Sequence, residues 1–124
     1  MDLHERAAGH VVVVDVDGPL ERDDAGYAIL LTGLRAILAR GARYIVVNVA
    51  NVSHVDSLLL GVIVEVYVSA VRQGGGLKLL HVGERFRHLL SVTRLHRILE
   101  SFDSEEAAVA SFPGGEIGHA APPR

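Results

Sequence analysis

The chain has 124 residues, 49% of them hydrophobic and 5% aromatic, which is enough for one packed core and favours a small helix-covered sheet over an aromatic-rich β-sandwich. It contains no cysteine, which excludes disulfides, thiolate nucleophiles and Cys-ligated metals. Its formal net charge of −3, with scattered basic residues, predicts no nucleic-acid partner.

The first half of the chain alternates between strand and helix patterns. A weak strand at Leu3 to Ala7 precedes Val11 to Val16, a β-branched run that predicts a buried strand stopped by turn residues. Apolar residues at helical spacing then predict a helix over Gly26 to Arg40, with Gly41 as its C-cap. Another β-branched run, Tyr44 to Val49, predicts the next strand.

The second half continues the alternation. We predict a helix, a strand, a short helix, a short strand and a terminal helix, at Asp56 to Gln73, Leu77 to Val82, Glu84 to Ser91, Ile98 to Phe102 and Ser104 to Ser111. This order predicts an α/β domain over residues 1–112, with a mixed sheet of four to five strands and about four helices. Residues 113–124, rich in Gly, Pro and Ala, are expected to form a disordered tail.

No segment has the pattern of a secretory signal or a membrane span. Residues 1–10 carry charged side chains, and the apolar run from Leu58 to Val71 contains Glu65 and is shorter than the roughly 20 residues that cross a bilayer. We therefore expect a cytoplasmic protein without a membrane partner.

The second predicted helix carries a mixed stripe on its solvent side. At about 100° per residue, the stripe contains Ser57, Gly61, Glu65, Ser69 and Arg72, while Leu58 and Val68 project into it and Val71 falls among the inward positions. An exposed apolar strip beside a polar helix start is typical of a docking surface, although single surface Leu and Val residues are common. Either Asp56 or Ser57 could cap this helix.

Several segments resemble the STAS domains of anti-sigma factor antagonists. Asp56-Ser57-Leu58-Leu59-Leu60-Gly61, which follows a hydrophobic strand, is similar to the family's Asp-Ser-Ser-Gly-Leu-Gly signature. The likeness continues through Val16-Asp17-Gly18-Pro19-Leu20-Glu21, Val71 to Leu80 and Phe86 to Ile98, and covers about Leu3 to Phe112. The chain departs from the signature at Leu58 and Leu59, which replace a hydroxyl residue and a glycine, and at Glu21, which replaces Asp.

The resemblance implies a STAS fold and a non-enzymatic regulator of sigma-factor-dependent transcription. In that family a serine kinase, which is also the anti-sigma factor, phosphorylates the position matching Ser57 and so ends the docking. The implied partner-binding residues lie on the helix stripe and the loop after the second strand: Asp17, Gly18, Glu21, Asp23, Asp56, Ser57, Leu58, Gly61, Glu65 and Val68. No catalytic residue, cofactor or metal is expected.

Three alternatives remain open at this stage. A stressosome scaffold component or a lipid-transport accessory subunit would use the same fold with another partner. A phosphoaspartyl receiver domain would need Asp15, Asp17 and Asp56 together, but the strand before Asp56 ends several residues earlier.

Other candidate motifs favour structural roles. His81, His88 and His96 do not have metal-ligand spacing, and no Gly-x-Ser-x-Gly elbow surrounds Ser57. The densest basic set is interpreted as solvated surface with a smaller chance of meeting a partner; it contains Arg85, Arg87, Arg94 and Arg97.

Overall fold

The computed structural model describes residues 2–18 and 24–113, and within these ranges one five-stranded sheet is covered by four α-helices. The strands are β1 (Asp2–Ala8), β2 (Val11–Gly18), β3 (Tyr44–Val52), β4 (Gly76–Leu80) and β5 (Ser101–Phe102). The helices are α1 (Asp24–Ala39), α2 (Ser57–Arg72), α3 (Glu84–Val92) and α4 (Glu105–Ala110), with a short 3-10 helix at Leu95–Arg97. The predicted α/β architecture is confirmed.

The sheet is mixed because its first connection is a hairpin and the later ones are crossovers. β1 pairs antiparallel with β2 through a turn at Gly9, whose φ of +63° suits a residue without a Cβ. β2, β3, β4 and β5 are parallel neighbours in that order. Helices α1, α2 and α3 each follow one of these parallel strands, so all three begin at the carboxyl edge of the sheet.

The two faces of the sheet bury different helices. Alternate β-branched residues such as Val14 and Val47 pack beneath α1, α2 and α3 in the larger core, which includes Ile63 and Phe86. The opposite face buries Val11, Val13 and Val46 with Ala108 of α4 and with Phe112. Strands buried on both faces explain the continuous apolar runs in the sequence.

The predicted last strand, Ile98 to Phe102, is wrong over its first part. Arg94, which caps the start of the 3-10 helix, has a left-handed φ of 61°, and the backbone N–H groups of Ile98 and Leu99 donate to the carbonyl of Leu95. These amides are used in a local turn and cannot join a sheet, so β5 contains only Ser101 and Phe102. In contrast, β3 runs further than predicted, to Val52.

Two expectations concern residues outside the described ranges. The candidate partner-binding residues Glu21 and Asp23 lie there, as does the expected disordered tail from residue 114 onward. Among the residues that the structure does describe, none of the helices is both long and apolar enough to cross a membrane.

Candidate functional site

Ser57 is the first residue of α2 and is exposed to solvent. Asp56, in extended conformation, is the N-cap, because its Oδ1 accepts a hydrogen bond of 3.0 Å from the backbone N–H of Leu59. This decides between the two capping candidates. The Ser57 hydroxyl makes no hydrogen bond to another described residue.

The Asp56 carboxylate is held by donors from three parts of the chain. The Tyr27 hydroxyl, near the start of α1, lies 2.8 Å from both carboxylate oxygens. The Nε2 atom of His54 lies 3.1 Å from Oδ2. Together with the Leu59 N–H, these contacts fix the side chain beside Ser57 and tie α1 to the start of α2.

These contacts set the charge next to Ser57. Burial opposes ionisation of Asp56, but the hydrogen bonds from Leu59 and Tyr27 and the contact with His54 together outweigh it and hold the pKa of Asp56 below its usual value. Burial, followed by the neighbouring Asp56 carboxylate, raises the pKa of Tyr27 to about 12. At neutral pH a carboxylate anion therefore stands beside Ser57, stabilised by a neutral phenol.

The solvent side of α2 has a mixed polar and apolar surface. Leu58 is 56% exposed and Val68 is 39% exposed, as the helical periodicity indicates. Gly61 lies between them along the helix and is open, since a Cβ at that position would meet nothing within 4 Å. Glu65 is also exposed and pairs with Arg35 of α1 at 3.3 Å.

One position of α2 contradicts the helical-wheel prediction. Val71 was expected among the inward positions, but it is 47% exposed in the last turn of the helix. A helical wheel gives only the direction of a side chain around the helix axis. Burial also requires that another element of the fold covers that turn of the helix.

The candidate residues of the second strand lie at the same edge as Ser57. Asp17 is exposed near the end of β2, and Gly18 ends that strand. The register pairs Gly18 with Val52 at the end of β3, shortly before α2 begins. The structure therefore brings the described candidates to one edge and one helix, namely Asp17, Gly18, Asp56, Ser57, Leu58, Gly61, Glu65 and Val68.

Asp15 belongs to a different cluster. Its Oδ2 accepts a 2.6 Å hydrogen bond from Arg6, and its Oδ1 accepts one of 2.8 Å from Asn48. Arg6 also donates to Glu105 of α4, which covers the other face of the sheet from α2. The structure therefore keeps Asp15 and Asp56 apart, and in residues 2–18 and 24–113 no group of three His, Cys, Asp or Glu could hold a metal ion. This geometry does not support a receiver domain.

Sequence reasoning missed Tyr27, His54 and Arg35 as parts of this site. Tyr27 lies 29 residues before Asp56, and Arg35 meets Glu65 only because α1 packs against α2. No local pattern marks either residue. His54 could have been identified from the sequence, because it lies two residues before Asp56, a predicted helix cap.

Comparison with known proteins identifies a family and similar proteins for this chain. Residues 5–108 match the STAS domain family. A candidate anti-sigma factor antagonist of Thermotoga neapolitana, the TM1081 homolog, is 34% identical over 77 residues, which are 62% of this chain and 68% of that protein.

Solved structures with the same fold carry related names. The crystal structure of a candidate anti-sigma factor antagonist from Thermotoga maritima has a TM-score of 0.77 at 23% identity, covering 88% of this chain and 92% of that one. Phosphorylated SpoIIAA from Bacillus has a TM-score of 0.67 at 19% identity, covering 86% of this chain and 96% of that one. At these identities the two structures establish the shared fold.

Proposed function

This chain belongs to the STAS domain family, and from that premise we propose that it is an anti-sigma factor antagonist switched by phosphorylation of Ser57. The unmodified protein docks the exposed side of α2, with the end of β2, onto a kinase-type anti-sigma factor and so releases a sigma factor. It acts in the cytoplasm as a binding protein without catalytic residues. One relative supports this proposal by name, the Thermotoga neapolitana protein.

The observation that carries the proposal is the exposed Ser57 hydroxyl at the start of a sixteen-residue helix. A kinase can reach this oxygen without unfolding the chain, because Asp56 supplies the cap. The N–H groups and the dipole of the first turn favour an added anion. Phosphorylation is therefore expected to leave the fold intact.

The same phosphate would oppose docking for two reasons. It adds about −1.5 to −2 charges at neutral pH next to the Asp56 carboxylate, which its hydrogen bonds keep ionised. It would also have to lose water against a partner that covers the adjacent apolar side chain of Leu58. A penalty of about 3 to 4 kcal/mol would weaken binding roughly a hundred- to a thousandfold.

The two substitutions in the signature have unequal consequences. Leu59 is 1% exposed and fills the core, so it does not reach a partner. Leu58 is exposed and adds an apolar side chain where the family signature has a hydroxyl residue. Leu58 therefore selects for a kinase with an apolar contact at that position.

The proposal is tested by incubating the chain with the kinase-type anti-sigma factor of its own genome and ATP, then mapping phosphate by mass spectrometry. We expect one phosphate on Ser57 and none on a Ser57→Ala variant. Ser53→Ala is the matched control, because Ser53 is also exposed but precedes the helix. Continued labelling of Ser57→Ala would overturn the assignment.

A further inference from the structure

The surface formed by α3 and the following 3-10 helix is strongly basic in a chain that is acidic overall. Residues 84–98 contain four arginines and one glutamate, a formal charge of +3, while the whole chain has −3. The rest of the chain therefore has −6. We call this region the α3 basic surface; all of its arginines are exposed, at Arg85, Arg87, Arg94 and Arg97.

Little of this positive charge is neutralised within the molecule. Arg87 has a loose ion pair of 3.8 Å with Asp103, whose side chain is 90% exposed. In the described part of the chain, no carboxylate lies within 4.0 Å of Arg85, Arg94 or Arg97. Outside this surface, Arg6, Arg35 and Arg40 form ion pairs with described carboxylates, whereas Arg43 and Arg72 do not. Three of the five described arginines without a carboxylate within 4.0 Å therefore lie on the α3 basic surface.

The α3 basic surface also contains apolar side chains. Val92 is 61% exposed and Ile98 is 42% exposed, on either side of Arg94. A polyphosphate backbone offers no apolar contact for them, and Glu84 and Asp103 in the same region would repel phosphates. Arginine is instead enriched at protein interfaces, where a partner can also cover exposed apolar side chains.

This surface lies beside the proposed docking side of α2. β3 and β4 are parallel neighbours, with Asn48 paired to Leu80, and the helices that follow them both start at the carboxyl edge. Both helices pack on the same face, because Ile63 and Phe86 share one core. A standard interface covers ~800 Å² on each partner, which is large enough for a protein seated over Ser57 to reach α3 as well.

We infer that the α3 basic surface is a second docking element that receives an acidic surface of the same kinase-type anti-sigma factor. This inference rests on the proposed function and specifies its partner: the region of the kinase opposite α3 carries Asp or Glu side chains. Opposite charges steer the two proteins together. Salt weakens that attraction, because at an ionic strength of about 0.1 to 0.15 M exposed charges more than about 8–10 Å apart are largely screened from each other.

The test compares two charge-matched double variants of the full chain. Arg85→Glu/Arg97→Glu reverses the α3 basic surface, and Arg40→Glu/Arg43→Glu reverses two exposed arginines between the end of α1 and the start of β3, at the opposite edge. Affinity for the kinase-type anti-sigma factor is measured by calorimetry at 50 and 300 mM NaCl, and circular dichroism verifies that both variants fold.

At low salt we expect the α3 variant to bind at least tenfold more weakly than wild type and the control variant within about threefold of it. Wild-type affinity should also fall more steeply with salt than that of the α3 variant. Equal losses in both variants, or an unchanged affinity of the α3 variant, would overturn this inference alone.

Two further outcomes separate this inference from its premise. If the arginines are needed for binding to duplex DNA or phosphatidylglycerol vesicles while kinase affinity is unaffected, the surface serves another class of ligand and the inference fails. If wild type does not bind the kinase at all, the proposed function fails first and the inference falls with it.

Discussion

Asp56 at the start of α2 and Asp15 on β2 are both partly buried carboxylates with a lowered pKa, but they are stabilised in different ways. Asp15 is held mainly by the guanidinium of Arg6, whose side chain is 43% exposed. Asp56 is held by the Leu59 N–H and Tyr27, both neutral, with His54 alongside. An ion pair at the surface is weakened by salt and solvent, whereas hydrogen bonds from a helix N-terminus and a buried phenol are much less so.

The Asp15 and Asp56 clusters also differ in what surrounds them. The Asp15 cluster fastens β1 and α4 to the sheet and touches no candidate docking residue. The Asp56 cluster sets the position and charge environment of Ser57 without using its hydroxyl. We therefore expect the network where a phosphate is proposed to be added to be less sensitive to salt than the network that serves only the fold.

The largest expected effect is the removal of the Asp56 side chain. Asp56→Ala should reduce the free energy of unfolding by about 2 kcal/mol, since it removes a helix cap and leaves the buried Tyr27 hydroxyl without its acceptor. Urea denaturation followed by circular dichroism measures this loss. Ser104→Ala is the matched control, because Ser104 caps α4 through Ala107 but belongs to no such network. It should cost about 1 kcal/mol, and equal losses would contradict the role assigned to Tyr27.

The Tyr27 hydroxyl should contribute about half as much. Tyr27→Phe keeps the ring in the core and removes the donor to Asp56, for an expected loss of about 1 kcal/mol. Tyr67→Phe is the control, since the Tyr67 hydroxyl has no hydrogen bond to a described residue. In a double-mutant cycle, the combined variant with Asp56→Ala should lose less stability than the sum of the two single losses. Strictly additive losses would show that the two residues act independently.

A smaller effect is expected in the Asp15 cluster. Arg6→Met should cost about 0.5 kcal/mol at low salt, a value kept small because Arg6 is nearly half exposed. The difference from wild type should shrink in 1 M NaCl, while the loss caused by Tyr27→Phe should not change. Salt-independent destabilisation by Arg6→Met would remove the distinction between the clusters.

The smallest expected effect is on the pH dependence of stability, where the carboxylates act at acid pH and Tyr27 acts at alkaline pH. Both carboxylates have lowered pKa values, so their contributions are complete above about pH 4 and are lost as the pH falls further. Tyr27 has a raised pKa of about 12, so its contribution is complete below pH ~10 and is lost as the pH rises towards 12. Unfolding titrations of Tyr27→Phe should therefore lose the alkaline decline and keep the acid one.

Much of the fold could be predicted from local patterns. The helical period placed α2 within a residue of its observed ends, and it anticipated the exposed Leu58 and Val68. Two predictions failed where hydrophobic periodicity does not decide the structure. The last strand is shorter than predicted because a turn forms at Arg94. Val71, in the last turn of α2, is exposed instead of buried. The assignment of Ser57 as phosphoacceptor, and of the stripe as docking surface, stays a prediction.

The sequence alone determined which segments form strands and helices, and that Asp56 and Ser57 stand where a helix begins, because hydrophobic period and capping chemistry act over a few residues. Only the tertiary structure decided that Asp56, not Ser57, is the cap, and that Tyr27 reaches it from α1. It also placed α3 beside α2 and α4 on the opposite face. Such contacts depend on strand order, register and crossover direction, which join residues far apart in the chain and leave no local trace in it.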